Sequence, residues 1–243
     1  MMLQPEHILA PFSVSELPPG PWLVFAPHSD DETFGMGGSL LKASCQGIET
    51  HVLVLTDGAL GGHHENLVSI RQSEVKEAAR ALRLKGLHLW SEPDRGLVES
   101  DSLKREIAEL ISEVQPKSVF FPGPLELHPD HRATGFLVWS ALQMTYPSGL
   151  KPVIHSYEIS VQNPINVLID ITEQMPEKVK AMQIYASQNQ ENNYPDLVTA
   201  LNRSRTLTLP PDVKYSEGFF QYSEKDLQIS LRDMTHHIIN LYQ

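Results

Sequence analysis

Between positions 28 and 32 the chain crowds His28, Asp30, Asp31 and Glu32 into one short turn. A second knot follows much later, Glu126-Leu127-His128-Pro129-Asp130-His131. Carboxylates at that density repel one another, and folding them inward without partners costs solvation. A cation removes both costs, because carboxylate and neutral imidazole are ordinary ligands for Zn²⁺ and its first-row neighbours. His128 and His131 are three residues apart, so a helix starting there turns both rings toward one site. Asp130 between them can orient a ring by accepting its second N–H. Taken singly, each cluster also reads as a solvated surface turn, the first acidic and the second proline-containing. Their recurrence after equivalent apolar runs favours a shared site.

Those runs are Trp22–Ala26, closed by Pro27, and Val119–Phe121. Both read as buried parallel strands ending at their carboxyl edge, where open α/β sheets bind ligands. The pattern between them predicts a helix over Met36–Gln46 stopped by Gly47, a strand over His51–Thr56 and a polar loop over Ala59–Glu65. It continues with a helix over Asn66–Leu84, a strand over Gly86–Trp90 and a helix over Ser102–Val114. A further helix is expected over Ala133–Met144. This alternation gives the fold class as α/β with a mostly parallel sheet and helices on both faces. Beyond it, Val153–Val161 and Asn166–Ile171 read as strands paired at a sheet edge. Pro176–Ser187 and Asp196–Thr206 read as helices, Tyr215–Tyr222 as an aromatic segment returning to the core, and Met234–Tyr242 as an amphipathic helix end. Residues 1–20, with four prolines, are an irregular lead-in; residues 21–243 form a single domain without internal repeats.

A net charge of −11 with no basic stripe argues against nucleic acid as a partner. One cysteine, Cys45, excludes an intrachain disulfide and a thiolate-rich metal site; it is expected to be buried in its helix. No apolar run reaches the length of a membrane span, and the N-terminal stretch lacks the features of a signal peptide, so a cytoplasmic location is expected.

The motif PHSDDETFGMGG (27–38) resembles the first signature of the LmbE-like, or PIG-L, N-deacetylase superfamily, and ELHPDHRATG (126–135) resembles its second. Weaker similarities are LTDG after the second strand, RQSEVKEAARAL in the helix that follows, YASQ and YSEGF, so the likeness runs from Trp22 to Phe220. It implies a Rossmann-like sheet and a zinc ion, with iron(II) or another first-row divalent metal as substitutes. It assigns the metal to His28, Asp31 and His131, leaving open positions as in catalytic sites. It implies Asp30 as general base for an activated water, and His128 as oxyanion donor, which Asp130 would orient. Arg71 is a candidate substrate contact; as a solvated helix residue it would pair with Glu74 or Glu77. The implied activity removes an acetyl or other acyl group from an N-acetylglucosamine-type sugar or glycoconjugate. Ser29 replaces the proline usual in the first signature, which bears on turn rigidity and supplies no ligand.

The alternatives are a metal-dependent hydrolase of another bond, such as a phosphoester, and a sugar-binding relative without catalysis. Only Arg132 adjoins a motif as a phosphate anchor, and a binding protein needs no base. Gly35–Gly38 lacks dinucleotide-turn spacing. His63-His64 reads as a loop over the pocket rather than a second metal site, Trp90 and Trp139 as core aromatics, and His236-His237 as no ligand pair.

Overall fold

Every residue of Trp22–Ala26 is buried, because helices cover both faces of the strand it forms. The computed structural model describes residues 4–242. In chain order its elements are α1 (Glu6–Leu9), β1 (Trp22–Ala26), α2 (Asp31–Cys45), β2 (Thr50–Thr56), α3 (Leu67–Ala81), β3 (Gly86–Glu92), α4 (Asp101–Val114) and β4 (Ser118–Pro122). There follow α5 (Pro129–Thr145), β5 (Val153–Tyr157), β6 (Val167–Asp170), α6 (Met175–Ile184), α7 (Ala186–Asn189), α8 (Tyr194–Ser204), β7 (Ser216–Tyr222) and α9 (Leu231–Asn240).

The strands form one seven-stranded sheet in the order β3-β2-β1-β4-β5-β7-β6. From β3 to β5 all neighbours are parallel, and β7 runs antiparallel between β5 and β6. Side chains alternate across it: Trp22, Val24 and Ala26 pack with α2, α3 and α6, whereas Leu23 and Phe25 pack with α4, α5 and α9. The chain leaves β1 toward β2 on one side and returns to β4 on the other. The carboxyl ends of β1 and β4 therefore open the crevice where such sheets hold ligands.

Several boundaries differ from expectation. The helices expected from Met36 and Ala133 begin at Asp31 and Pro129, so both polar clusters supply first turns rather than loops. Apolar periodicity cannot register those turns because their residues face the site, not the core. The two late strands are not paired with each other: β7 lies between them, and β5 and β6 both run antiparallel to it. Cys45 is exposed, as the last residue of α2 beyond the helix's inward-facing Ala43. Trp139 is buried as expected, whereas Trp90 is only half-buried on the edge strand β3. The lead-in is tied down at the opposite edge, where the Ser15 N–H donates to the Leu168 carbonyl at 2.7 Å.

Helix α2 is kinked at Met36 (φ −143°, ψ 23°). The kink withdraws backbone groups from the helical ladder, and a buried ion pair satisfies them. Glu217 of β7 accepts the N–H groups of Gly38 (2.8 Å) and Ser39 (2.7 Å), capping the second half of the helix. Lys178 of α6 donates to Phe34 O (2.9 Å), Asn202 Oδ1 (2.9 Å) and Glu217 Oε1 (2.7 Å). Gly35 lies so close to the Tyr157 ring that a Cβ would sit 2.4 Å from it, which brings the first turn of α2 hard against the sheet. Among the described residues no helix is long and apolar enough to cross a membrane.

Candidate metal centre

The turn after β1 places its acids by an unusual backbone. Asp30 has φ 140° and ψ −31°, a region costly for any residue with a Cβ, and it caps α2. Its N–H donates to Glu32 Oε2 (3.3 Å), and Glu32 in turn accepts from Thr33 Oγ1 (2.7 Å) and Tyr185 Oη (2.5 Å). After β4 the loop enters α5 with Pro129 at its first turn, where a missing N–H costs nothing. His128 caps that helix: its Nδ1 accepts the Asp130 backbone N–H at 3.2 Å.

His28 is ringed by carboxylates. Its Nδ1 lies 3.0 Å from Asp31 Oδ2, and its Nε2 lies 3.1 Å from Asp130 Oδ2 and 3.3 Å from Asp94 Oδ1. Asp31 Oδ1 is 3.3 Å from His131 Nε2, so this one carboxylate bridges His28 and His131. Behind His131, Glu126 Oε2 stands 3.5 Å from Nδ1. Glu126 is itself held by the Ile159 and Ser160 N–H groups (2.8 and 3.1 Å) and Asn163 Nδ2 (3.1 Å). His28, His128 and His131 each bring a ring nitrogen within 4.8 Å of the others, as do ligand atoms of His28, Asp94, His128 and Asp130.

Burial works against charge on His28, yet Asp130, Asp31 and Asp94 hold its pKa well above the usual imidazole range. Burial likewise opposes a charged His131, but Asp31 and Glu126 raise its pKa to about 9. Against its own burial, Asp31 is held well below the carboxylate range by His131 and His28. The surrounding carboxylates thus favour positive charge at both imidazoles. A divalent cation supplies such charge, so this buried nitrogen and oxygen donor set fits a metal ion.

His128 behaves differently. Burial and the neighbouring His28 and His131 lower its pKa to about 4, leaving it neutral. Because its Nδ1 accepts the Asp130 N–H, the ring proton sits on Nε2. The expected orientation of His128 by the Asp130 carboxylate is therefore corrected, since the backbone of Asp130 does this work. Its carboxylate instead receives the N–H groups of Arg95 (2.6 Å) and Leu97 (3.4 Å) and faces His28.

Asp30 stands apart from the imidazoles. Burial raises its pKa to about 8, a rise that Arg71 opposes and Asp31 reinforces. Arg71 is 3% exposed; its guanidinium reaches Asp30 Oδ2 (3.4 Å), Ser29 O (3.1 Å) and Gly58 O (3.3 Å). Neither glutamate expected of a solvated Arg71 is its partner, since Glu74 accepts from Ser187 instead. Ser29 is buried with its carbonyl held by Arg71, which steadies the turn that lacks the proline.

These groups floor a cleft of about 470 Å³. One wall is the Leu60–His63 loop, as expected for His63, and the other carries Phe34, Gln188, Glu191, Asn192 and Tyr194. The sequence gives no local sign of Asp94 as a site residue, and Tyr185 opens the weak YASQ similarity without a role attached to it. Asp94 follows a third strand of the same sheet, and that position was its one available signal.

Residues 23–142 match the family model described as PIG-L, GlcNAc-PI de-N-acetylase. A Bacillus anthracis protein named "Probable N-acetyl-alpha-D-glucosaminyl L-malate deacetylase 2" is 30% identical, with 84% of this chain and 96% of that protein covered. The diacetylchitobiose deacetylase of Thermococcus kodakarensis is 31% identical over 70% of each chain. The solved N,N'-diacetylchitobiose deacetylase of Pyrococcus horikoshii superposes with a TM-score of 0.72 at 30% identity, covering 83% of both chains. The two signatures converge on one buried cluster at the β1/β4 crevice, a relative about 30% identical covers 84% of the chain, and the protein belongs to the PIG-L/LmbE-like family of N-deacetylases.

Proposed function

We propose that this protein hydrolyses the N-acetyl group of an N-acetylglucosamine-type sugar or glycoconjugate with a zinc ion held by His28, Asp31 and His131. The observation that carries this reading is the division of labour between adjacent acids. Both oxygens of Asp31 are engaged by imidazoles, whereas the Asp30 carboxylate pairs with Arg71 alone among the described side chains and lines the cleft. Zinc bound there supplies a Lewis acid that polarises the acyl carbonyl and acidifies water. Asp30 takes the proton from the attacking water, its raised pKa matching it to that task near neutrality. His128 donates its Nε2–H to the oxyanion that develops as the carbonyl is attacked. The proton held on Asp30 then passes to the leaving nitrogen, releasing acetate and a free amine. Arg71 fixes Asp30 and borders the cleft. Gln188, Glu191 and Asn192 offer the mixed donors and acceptors that sugar hydroxyls need.

The relatives named above act, by their names, on an N-acetylglucosaminyl malate and on diacetylchitobiose, which supports the sugar class. A phosphoester substrate finds less here, because Arg132 is spent on the carbonyls of Glu126 (2.7 Å) and Leu127 (2.6 Å). The test is amine release from a panel of N-acetylated sugars and conjugates by metal-stripped protein before and after zinc is restored. Release only with zinc supports the reading. A zinc-loaded protein inert across the panel overturns it.

A further inference from the structure

Asp30 needs an explanation for its backbone. A residue with a Cβ does not hold φ 140° unless its surroundings impose it. One contact on that peptide is the Glu32 carboxylate, which accepts the Asp30 N–H at 3.3 Å. Glu32 could not hold that position alone, since a flexible side chain in the first turn of a helix has several rotamers. It is fixed by Tyr185, whose hydroxyl donates to the other carboxylate oxygen at 2.5 Å, with Thr33 Oγ1 sharing that oxygen at 2.7 Å.

Tyr185 is itself packed in the core. It is fully buried, stands edge-on to Phe34 at 5.7 Å, and follows α6 directly. That helix is anchored to α2 by Lys178, whose ammonium holds the Phe34 carbonyl. Two residues on, Ser187 gives its N–H and Oγ to Glu74 (2.8 and 2.6 Å), which lies one turn beyond Arg71 on α3. One short segment thus braces both the main chain of Asp30 and the helix that carries its guanidinium partner.

We infer that Tyr185 is a positioning residue that acts through Glu32 to hold Asp30 in its strained conformation, facing the cleft. The inference rests on Asp30 as the base, so its test needs one arm that does not depend on turnover. Tyr185→Phe removes the hydroxyl and keeps the ring against Phe34. Tyr222→Phe is the control; it removes an equally buried hydroxyl, bonded to Ser156 at 3.1 Å on the other face of the sheet.

With zinc content verified at one per chain, Tyr185→Phe is expected to lower kcat roughly 10- to 100-fold with KM unchanged, as loss of a supporting hydrogen bond commonly does. Tyr222→Phe is expected to keep its kcat. Combining Tyr185→Phe with Glu32→Gln should cost little more than the worse single change, because both act along one path. The independent arm is the crystal structure of zinc-loaded Tyr185→Phe, in which the Asp30 peptide should leave its φ near 140°. An unmoved Asp30 overturns the inference whatever the turnover, and so does a kcat loss matched by lost zinc. If the wild-type protein deacetylates nothing, the deacetylase reading fails, and the displacement of Asp30 still decides this one.

Discussion

The backbone N–H of Asp130 donates to His128 Nδ1 at 3.2 Å, and this contact fixes where the proton of a neutral imidazole must be. A helix cap therefore serves as a tautomer lock. The ring that ends the loop also starts α5, so its outward nitrogen is a donor at the cleft floor.

From this follows the behaviour of His128→Ala. Zinc should still bind through His28, Asp31 and His131, while kcat falls roughly 10²- to 10³-fold with KM little altered, the usual cost of one oxyanion donor. Steady-state kinetics beside metal analysis checks this. Loss of zinc in this variant would instead make His128 a ligand.

Glu217→Ala should destabilise the fold by roughly 3–5 kcal/mol, since it strands the buried Lys178 ammonium and uncaps Gly38 and Ser39 at the α2 kink. Replacing both members, as in Glu217→Met with Lys178→Met, should recover part of that loss. Recovery stays incomplete because the two N–H groups remain without an acceptor. Chemical denaturation of both variants beside wild type measures it.

His155 predicts an acid limb in stability. It is buried in β5, stacked on Phe120 at 4.9 Å, and its burial lowers its pKa from 6.5 to about 4. Below pH 6.5 the unfolded chain takes up a proton that the folded one refuses, so stability falls until about pH 4. The loss from this group reaches roughly 3 kcal/mol at about 1.4 kcal/mol per pH unit. His155→Phe, which keeps the stack, should flatten that part of the profile relative to wild type.

Much of this architecture is legible in the sequence, and the exceptions have physical causes. Trp22–Ala26 is recognisable as a strand to the residue because both its faces are buried and it ends in proline and charge. The starts of α2 and α5 are not, because their first turns are polar for the sake of the site. Strand β7 hides its place between β5 and β6 behind Glu217, a charge that reads as exposed until Lys178 is brought to it from α6. In the site, the paired signatures bring His28, Asp30, Asp31, His128 and His131 together at one cleft, with Asp130 behind them against His28. Asp94 carries no local pattern and Tyr185 only the weak YASQ similarity, since each acts through a partner distant in the chain. Asp130 shows the limit of spacing arguments: its position was informative, but which of its atoms reaches His128 was not.

The measurement that tests the central claim most directly is turnover per bound zinc for Asp30→Asn beside wild type, on an N-acetylated sugar that wild type cleaves. The variant keeps the shape of Asp30 and all three proposed ligands, so zinc content should stay at one per chain. Amine release should fall by roughly 10²- to 10⁴-fold, the contribution of a placed general base. Wild-type turnover in a folded, zinc-loaded Asp30→Asn protein would contradict the assignment of separate roles to Asp30 and Asp31.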